Sequence, residues 1–330
     1  MILKTYCGYI KDNEKVLKSA SGGLATALSE KMITNDSVVY GVTYASNYVN
    51  AEYIRIDRAE EIHLIKGSKY IKASLNREIL ESLADDLKSG KSVLFTGLPC
   101  DISVVKSYLD KYNIEQEKLF CVDLICYGPT SSEVAKEYIE FLEKKYKSKI
   151  SEFSTRYKNP FWSPSYLYAK FENGKEYIRK FSETEYGLAF SLMPARKSCH
   201  TCPNKGEMYK SDITIGDYWG IQPEDNGYNK YGTSVAFVHT EKGDALISSL
   251  DNFCLFEADL EKALKGNPRY VTPVNPTSEA ERFRERFEKK GLFYAASKHY
   301  GIKKYIPPVI RKIAHKIVHI AKHLQSTRNS

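Results

Sequence analysis

Strand-like and helix-like segments alternate through the first half of this chain, and that alternation limits its fold more than any other feature. LATALSEKMI (Leu24–Ile33) has helical spacing, and SVVYGVTY (Ser37–Tyr44) reads as a strand. REILESLADDLKSG (Arg77–Gly90) is a helix ending at a glycine, as helix C-termini commonly do. SVLFTG (Ser92–Gly97) and KLFCVDLICYG (Lys118–Gly128) are buried-strand runs, each followed by a helix: DISVVKSYLDKY after the first, SSEVAKEYIEFLEKKY with a serine cap after the second. A β-α-β-α order favours an α/β fold with a mixed, mostly parallel sheet. The second half is more irregular and α+β in character. It offers strands at ISEFSTRY, SYLYAKF, EYIRKF, TSVAFVHT and NFCLFEA, a helix at EKGDALISSL, and a proline-rich loop over Asn267–Ser278. The expected organisation is an α/β part over 1–150, an α+β part of the same globular unit over 151–266, and a loop with basic amphipathic helices over 267–330.

The formal net charge of the 330 residues is +8, but its position argues against a nucleic-acid partner. From Lys298 to Ser330 there are six Lys, two Arg and no acid, so the preceding 297 residues are neutral overall. In this tail Ile310, Ile313, Ile317, Ile320, Ala321 and Leu324 recur at helical spacing among basic residues. Such a helix either lies on an anionic membrane surface or packs on the body with a solvated basic face. The N-terminus has no apolar signal-peptide core, and no stretch approaches the about 18 apolar residues of a membrane span. The expected location is cytoplasmic, with peripheral contact at the inner membrane face as the reading the tail leaves open.

Seven cysteines, an odd number in a chain without secretion signals, argue for thiols used as ligands or nucleophiles rather than for disulfides. KSCHTCPNKGEMYKSDITIGDYWG (Lys197–Gly220) sets Cys199 and Cys202 three apart. Soft thiolates at that spacing can share one metal centre. Cys100 in FTGLPCD stands where a strand turns into a helix, and Cys126 in LICYGPT where the next strand ends. Both fall at the carboxyl edge of a parallel sheet, where such folds bind ligands. Cys100, Cys126, Cys199 and Cys202 together would complete a cluster site, and Pro203 resembles the Cys-Pro that ends bacterial ferredoxin runs. An iron–sulfur cluster, structural zinc, a redox dithiol and inert thiols all stay open on the residues alone. The thioredoxin-like reading is weakened because the C-x-x-C does not open a helix after a central strand. Cys7, Cys121 and Cys254 read as core thiols and His200 as a bystander.

Several loops carry features that attract anions. Ser21, Gly22 and Gly23 precede a helix, where backbone N–H groups and the helix dipole favour negative charge, although the same residues also serve as a plain cap. Lys66, Lys69 and Lys72 surround Gly67 and Ser68, which suits a pyrophosphate or a solvated basic turn equally. Thr96 and Gly97 close a strand before Pro99 fixes the turn, and Asp217 follows a strand with Trp219 as a stacking wall or a packing residue.

In their fixed order, Ser-Gly-Gly before a helix, KGSKY, FTGLPCD, DLICYG, RYKNPFW and CHTCPNKGEMYKSDITIGDYWG resemble the coenzyme F420 hydrogenase/dehydrogenase beta-subunit family, over roughly Ser19 to Leu250. The resemblance implies a flavoprotein that binds FAD and a [4Fe-4S] cluster, with a flavin-binding first part and a cluster-binding second part. It implies cluster ligands at Cys100, Cys126, Cys199 and Cys202, and flavin contacts from Ser21, Gly22, Gly23, Lys66, Ser68, Lys69 and Thr96; Gly97 and Asp217 join the candidate cofactor contacts from the reading of the loops themselves. The implied partners are a small-molecule substrate or a deazaflavin or nicotinamide coenzyme. Nothing like the ferredoxin-like module of many relatives precedes Lys18, so the expected electron donor is external, such as a ferredoxin. Where Gly-Thr-Pro-Cys-Gln is expected, this chain has Gly-Leu-Pro-Cys-Asp. Bacterial relatives without hydrogenase partners are similar to members of surface-polysaccharide biosynthesis sets. The competing expectation is a zinc-stabilised or metal-free accessory protein of glycan assembly without redox chemistry.

Overall fold

A computed structural model describes residues 2–34, 36–206 and 209–300. The chain opens with β1 (Lys4–Ile10), α1 (Asn13–Leu17) and α2 (Leu24–Met32). The alternation of the first half follows as β2 (Ser37–Tyr44), β3 (Ala51–Ile56), α3 (Ile62–Ile65), α4 (Arg77–Lys88), β4 (Ser92–Gly97), α5 (Pro99–Lys111), β5 (Leu119–Leu124) and α6 (Ser132–Tyr146). Then come β6 (Ile150–Tyr157), β7 (Tyr166–Phe171), β8 (Glu176–Lys180) and α7 (Glu185–Leu192). The described part ends with β9 (Ile213–Asp217), β10 (Ser234–Val238), α8 (Glu241–Ser248), β11 (Phe253–Glu257), α9 (Leu260–Gly266), α10 (Ser278–Lys290) and α11 (Leu292–Tyr300).

The main sheet has the order β11-β1-β10-β9-β5-β4-β2-β3. Its centre, β2-β4-β5-β9, is parallel, as the alternation predicts. β3 joins one edge antiparallel, and β10, β1 and β11 extend the other edge antiparallel. Both faces are covered, which is why these strands read as continuous apolar runs. Val38, Tyr40, Val93, Phe95 and Cys121 pack with residues of α4, α5 and α6 on one face. Val39, Leu94, Val122 and Ile213 pack with α2 and α8 on the other. β6, β7 and β8 form a separate antiparallel sheet that buries Phe153, Leu167 and Phe171 in the first of these cores.

Local chemistry sets several boundaries. The Asn76 side chain accepts the Ile79 N–H at 3.0 Å to start α4, and Gly90 past its end has a φ of +85°. Pro99 is the first residue of α5, where its missing N–H costs nothing. Ser131 stands at the N-cap of α6 with extended backbone, but its hydroxyl makes no capping hydrogen bond, so the cap read from sequence is positional only. Phe283 of α10 and Leu292, Ala295 and Ala296 of α11 join the α6 face of the core. The basic helix expected over Pro308–Leu324 lies outside the described residues. Among the described residues no helix is long and apolar enough to cross a membrane.

Asp123 is an exception to this apolar interior. It lies in the middle of the sheet, 0% exposed, and neither carboxyl oxygen has a hydrogen-bond partner among the described residues. Burial pushes its carboxyl up to about 8, against the opposing influence of Thr214, Ser211 and Lys205. An unfolded Asp ionises near 3.9. Between roughly pH 4 and pH 8 the unfolded chain has therefore lost a proton that the folded form retains, so this group lowers stability as pH rises through that window. The stability of Asp123→Asn relative to wild type is expected to improve by on the order of 3–5 kcal/mol from pH 4 to pH 8. Thermal melts of both proteins at the two pH values check this; a gap independent of pH would refute it.

Candidate cofactor site

Two cavities lie at the carboxyl edge of β4, β5 and β9. The larger has a volume of about 770 Å³, and the smaller about 90 Å³. Leu98, Cys126, Gly128 and Pro129 line both, so the turns after β4 and β5 form a shared wall. Parallel pairing places Gly97, Leu124 and Asp217 at one edge, and the chain then turns away from the sheet into the loops that carry the site.

The smaller cavity gathers Cys100, Cys126, Cys199 and Cys202, four thiols from three separate segments. Cys100 lies in the first turn of α5, Cys126 just beyond β5, and Cys199 in a 3₁₀ turn over Lys197–Thr201 that leads to Cys202. All four are free and half-buried. Desolvation pushes the Cys100 thiol up to about 12, with Asp101 adding to the rise and Lys72 opposing it. Desolvation also raises Cys126, whose sulfur accepts the Gly128 N–H at 3.3 Å. Gly128 has a φ of +81°, and a Cβ there would stand 2.8 Å from Pro194. Among the described residues no three Cys, His, Asp or Glu side chains are placed to hold a single metal ion.

Two lysines also line this cavity. Lys72 pairs with buried Asp101 at 2.6 Å, and Tyr53 donates to the same carboxylate at 2.9 Å. Lys205 donates to the Cys126 and Arg269 carbonyls at 2.8 and 2.6 Å. Burial lowers its ammonium, opposed by the nearby Cys126, Cys202 and Asp123. His200 is held to the Val274 carbonyl at 2.7 Å. Cys7 and Cys121 are buried elsewhere in the sheet and Cys254 is half-buried on β11.

The larger cavity brings together Ser21, Lys66, Ser68, Lys69, Thr96, Gly97 and Asp217 from the sequence-based set. Gly22 and Gly23 are not part of its lining. Gly22 is wedged between strands, where a Cβ would lie 2.2 Å from the Gly8 carbonyl and 2.6 Å from the Ser234 nitrogen. Its N–H donates to the Ser234 hydroxyl at 2.9 Å. Gly23 caps α2 with a φ of +88°. Ser21 has a φ of +50°, unusual for a non-glycine, and donates to Asp217 at 2.7 Å. Lys69 places its ammonium on the Lys66 carbonyl at 2.7 Å, and burial lowers it to about 7. The Thr96 hydroxyl is buried without a hydrogen-bond partner among the described residues. Gly97 leaves room for Tyr53, whose hydroxyl would stand 2.3 Å from an added Cβ.

Sequence reasoning assigned no role to Arg156, which β6 sends into the larger cavity. Its guanidinium donates to Asp217 at 2.6 Å and sits 5.5 Å from the Trp219 ring centre. Trp219 stacks on Trp162 at 4.8 Å, and Tyr70 on Phe190 at 4.2 Å. Arg156 and Trp162 both belong to RYKNPFW; a strand ending in a cation and aromatics was the available signal.

The family model described as "Coenzyme F420 hydrogenase/dehydrogenase, beta subunit N-term" matches residues 5–81, and its companion for the C terminus of the same polypeptide matches residues 90–261. No curated protein sequence matches the chain. Among solved structures, a chain of the xenon-derivatised F420-reducing [NiFe] hydrogenase complex from Methanosarcina barkeri is similar, with a TM-score of 0.54 and 18% identity. The likeness covers 88% of this chain and 95% of that one, and it carries the fold. The chain described here belongs to the coenzyme F420 hydrogenase/dehydrogenase beta-subunit family, a family of oxidoreductase subunits.

Proposed function

We propose that this protein is an iron–sulfur flavoprotein oxidoreductase, with a [4Fe-4S] cluster in the smaller cavity and FAD in the larger. The observation that carries the reading is the convergence of Cys100, Cys126, Cys199 and Cys202 on one small cavity that shares a wall with a large one. Four thiolates are the usual ligand set of a [4Fe-4S] cluster. The larger cavity falls within the roughly 300–1,000 Å³ of ligand sites. Its unpartnered Thr96 hydroxyl is what a wall looks like when a ligand supplies the missing hydrogen bond.

When bound, a flavin exchanges electrons in pairs with an organic substrate or coenzyme and singly with a cluster. The protein's own residues supply position and charge. Cys126 Sγ is oriented by the Gly128 N–H, and the Lys72–Asp101 pair fixes the helix turn that carries Cys100. Lys66, Ser68 and Lys69 face the larger cavity as the anion-binding side, while Ser21, Asp217 and Arg156 form a bonded row against Trp219. No nucleophile–base pair or carboxylate dyad is needed, because the cofactors carry the electron chemistry. The electron donor is an external one-electron protein such as a ferredoxin, and the substrate is a small organic molecule or a deazaflavin or nicotinamide coenzyme.

Protein prepared without oxygen is expected to contain about four iron and four sulfide per chain. Replacing Cys199 or Cys202 by Ser is expected to remove most of the iron and the brown absorption. Metal analysis and the visible spectrum decide this, and stoichiometric zinc without iron would favour the accessory-protein reading instead.

Lys69 gives a second test. With its ammonium lowered to about 7 by burial, an anion must draw a proton onto Nζ as it binds. FAD affinity is therefore expected to fall as pH rises above 7, by at most about tenfold per unit. Lys69→Ala is expected to bind about ten- to a hundredfold more weakly at pH 6.5, with a shallower pH dependence and nearly unchanged iron content. Flavin titrations followed by tryptophan fluorescence check both. An unaltered pH profile in the variant would remove Lys69 from the site, and no flavin binding by wild type would remove the flavin reading.

A further inference from the structure

The two lysines on the smaller cavity are in different electrostatic states. Lys72 is neutralised by a buried carboxylate at 2.6 Å. Lys205 bonds to two backbone carbonyls, which orient its ammonium without cancelling its charge. The acid behind it, Asp123, is pushed up to about 8 by burial and is mostly protonated at pH 7. Arg269, whose carbonyl Lys205 binds, adds a further positive charge nearby. Burial raises the Tyr209 phenol and keeps it neutral, with Asp123, Cys126 and Cys202 adding to the rise.

We propose that Lys205 is a positioning residue whose buried ammonium makes the cluster held by Cys100, Cys126, Cys199 and Cys202 easier to reduce, while tying the Arg269 segment over it. The proposal rests on the cluster reading above. Four thiolates bring more negative charge than the iron and sulfide core offsets, so the filled cavity is anionic and holds the neighbouring Nζ protonated. One electron from a one-electron reductant raises that negative charge further. A cation in a low-dielectric wall stabilises the reduced state more than the oxidised one, and cluster potentials respond to net charge and hydrogen bonding. No bond is made or broken in this step, and no proton moves. Lys205 remains an ammonium in both states.

The test uses anaerobically prepared full-length protein, with Lys205→Gln, Lys205→Met and Lys205→Arg variants. Iron and sulfide are measured first, and each protein is then titrated with dithionite against redox indicators. Lys205→Gln keeps a hydrogen-bond donor on the side chain and removes the charge. Its one-electron reduction equilibrium is expected to fall about tenfold, a shift of about 59 mV. Lys205→Met is expected to fall at least as far, and Lys205→Arg to stay within about threefold of wild type. Potentials of Gln and Met variants equal to wild type would overturn the proposal. So would loss of iron from both of them with retention in Lys205→Arg, since that marks a purely structural latch. Wild-type protein with no cluster at all would instead overturn the four-cysteine reading.

Discussion

Parallel hydrogen bonding between β4, β5 and β9 is the constraint on which both cavities depend. Val93 pairs with Leu119 and Gly97 with Asp123, while Val122 pairs with Ile213. That register brings three chain segments to the same edge of the sheet before any side chain is considered. A one-residue slip of β5 would turn its side chains to the opposite faces. Cys121 would leave its core, and the turn that carries Cys126 would be displaced from the turn that carries Cys100. Sheet hydrogen bonds and the two packed faces therefore fix where the turns carrying Cys100 and Cys126 leave the sheet.

Cation placement is the second layer of organisation. Burial disfavours the thiolate at Cys100 and Cys126, so an undressed cavity would keep these two sulfurs protonated. Lys72 works against this at Cys100 and Lys205 at Cys126. The Lys72–Asp101 pair adds a mechanical link, because the loop of Lys66, Ser68 and Lys69 ends in a residue bonded to the first turn of α5. Removing one partner of such a buried pair typically costs about 3–5 kcal/mol. Thr155 of β6 donates to the Ser68 carbonyl at 3.0 Å and anchors the same loop from the small sheet.

The β2, β4 and β5 part of the parallel centre was legible because these strands are apolar runs separated by helical segments. Cys100 and Cys126 were legible for the same reason: each follows a strand that reads unambiguously. β1 and β3 were not recognised. KTYCGYI mixes polar and apolar residues at an antiparallel position, and the Gly-Gly that follows looked like a phosphate loop. The structure gives Gly22 a packing reason instead, since no side chain fits between the Gly8 carbonyl and Ser234. Arg156 escaped notice because its partner Asp217 lies 61 residues away, and no local pattern reveals a pairing set by tertiary packing. Asp123 hid inside an apolar run that otherwise reads as core.

Cys126 faces both cavities across a wall made by a few residues. A shared partition of this kind restricts how the protein can diverge. A substitution at Cys126, Gly128 or Pro129 alters two chambers at once, so each of these positions answers to two sets of neighbours. Arg156, Trp219 and Phe190 line the large chamber alone and carry no thiol, so a change there leaves the smaller chamber's lining untouched. The partition is thus the part of the molecule where one side chain serves two spaces, and a change made for one of them is felt in the other.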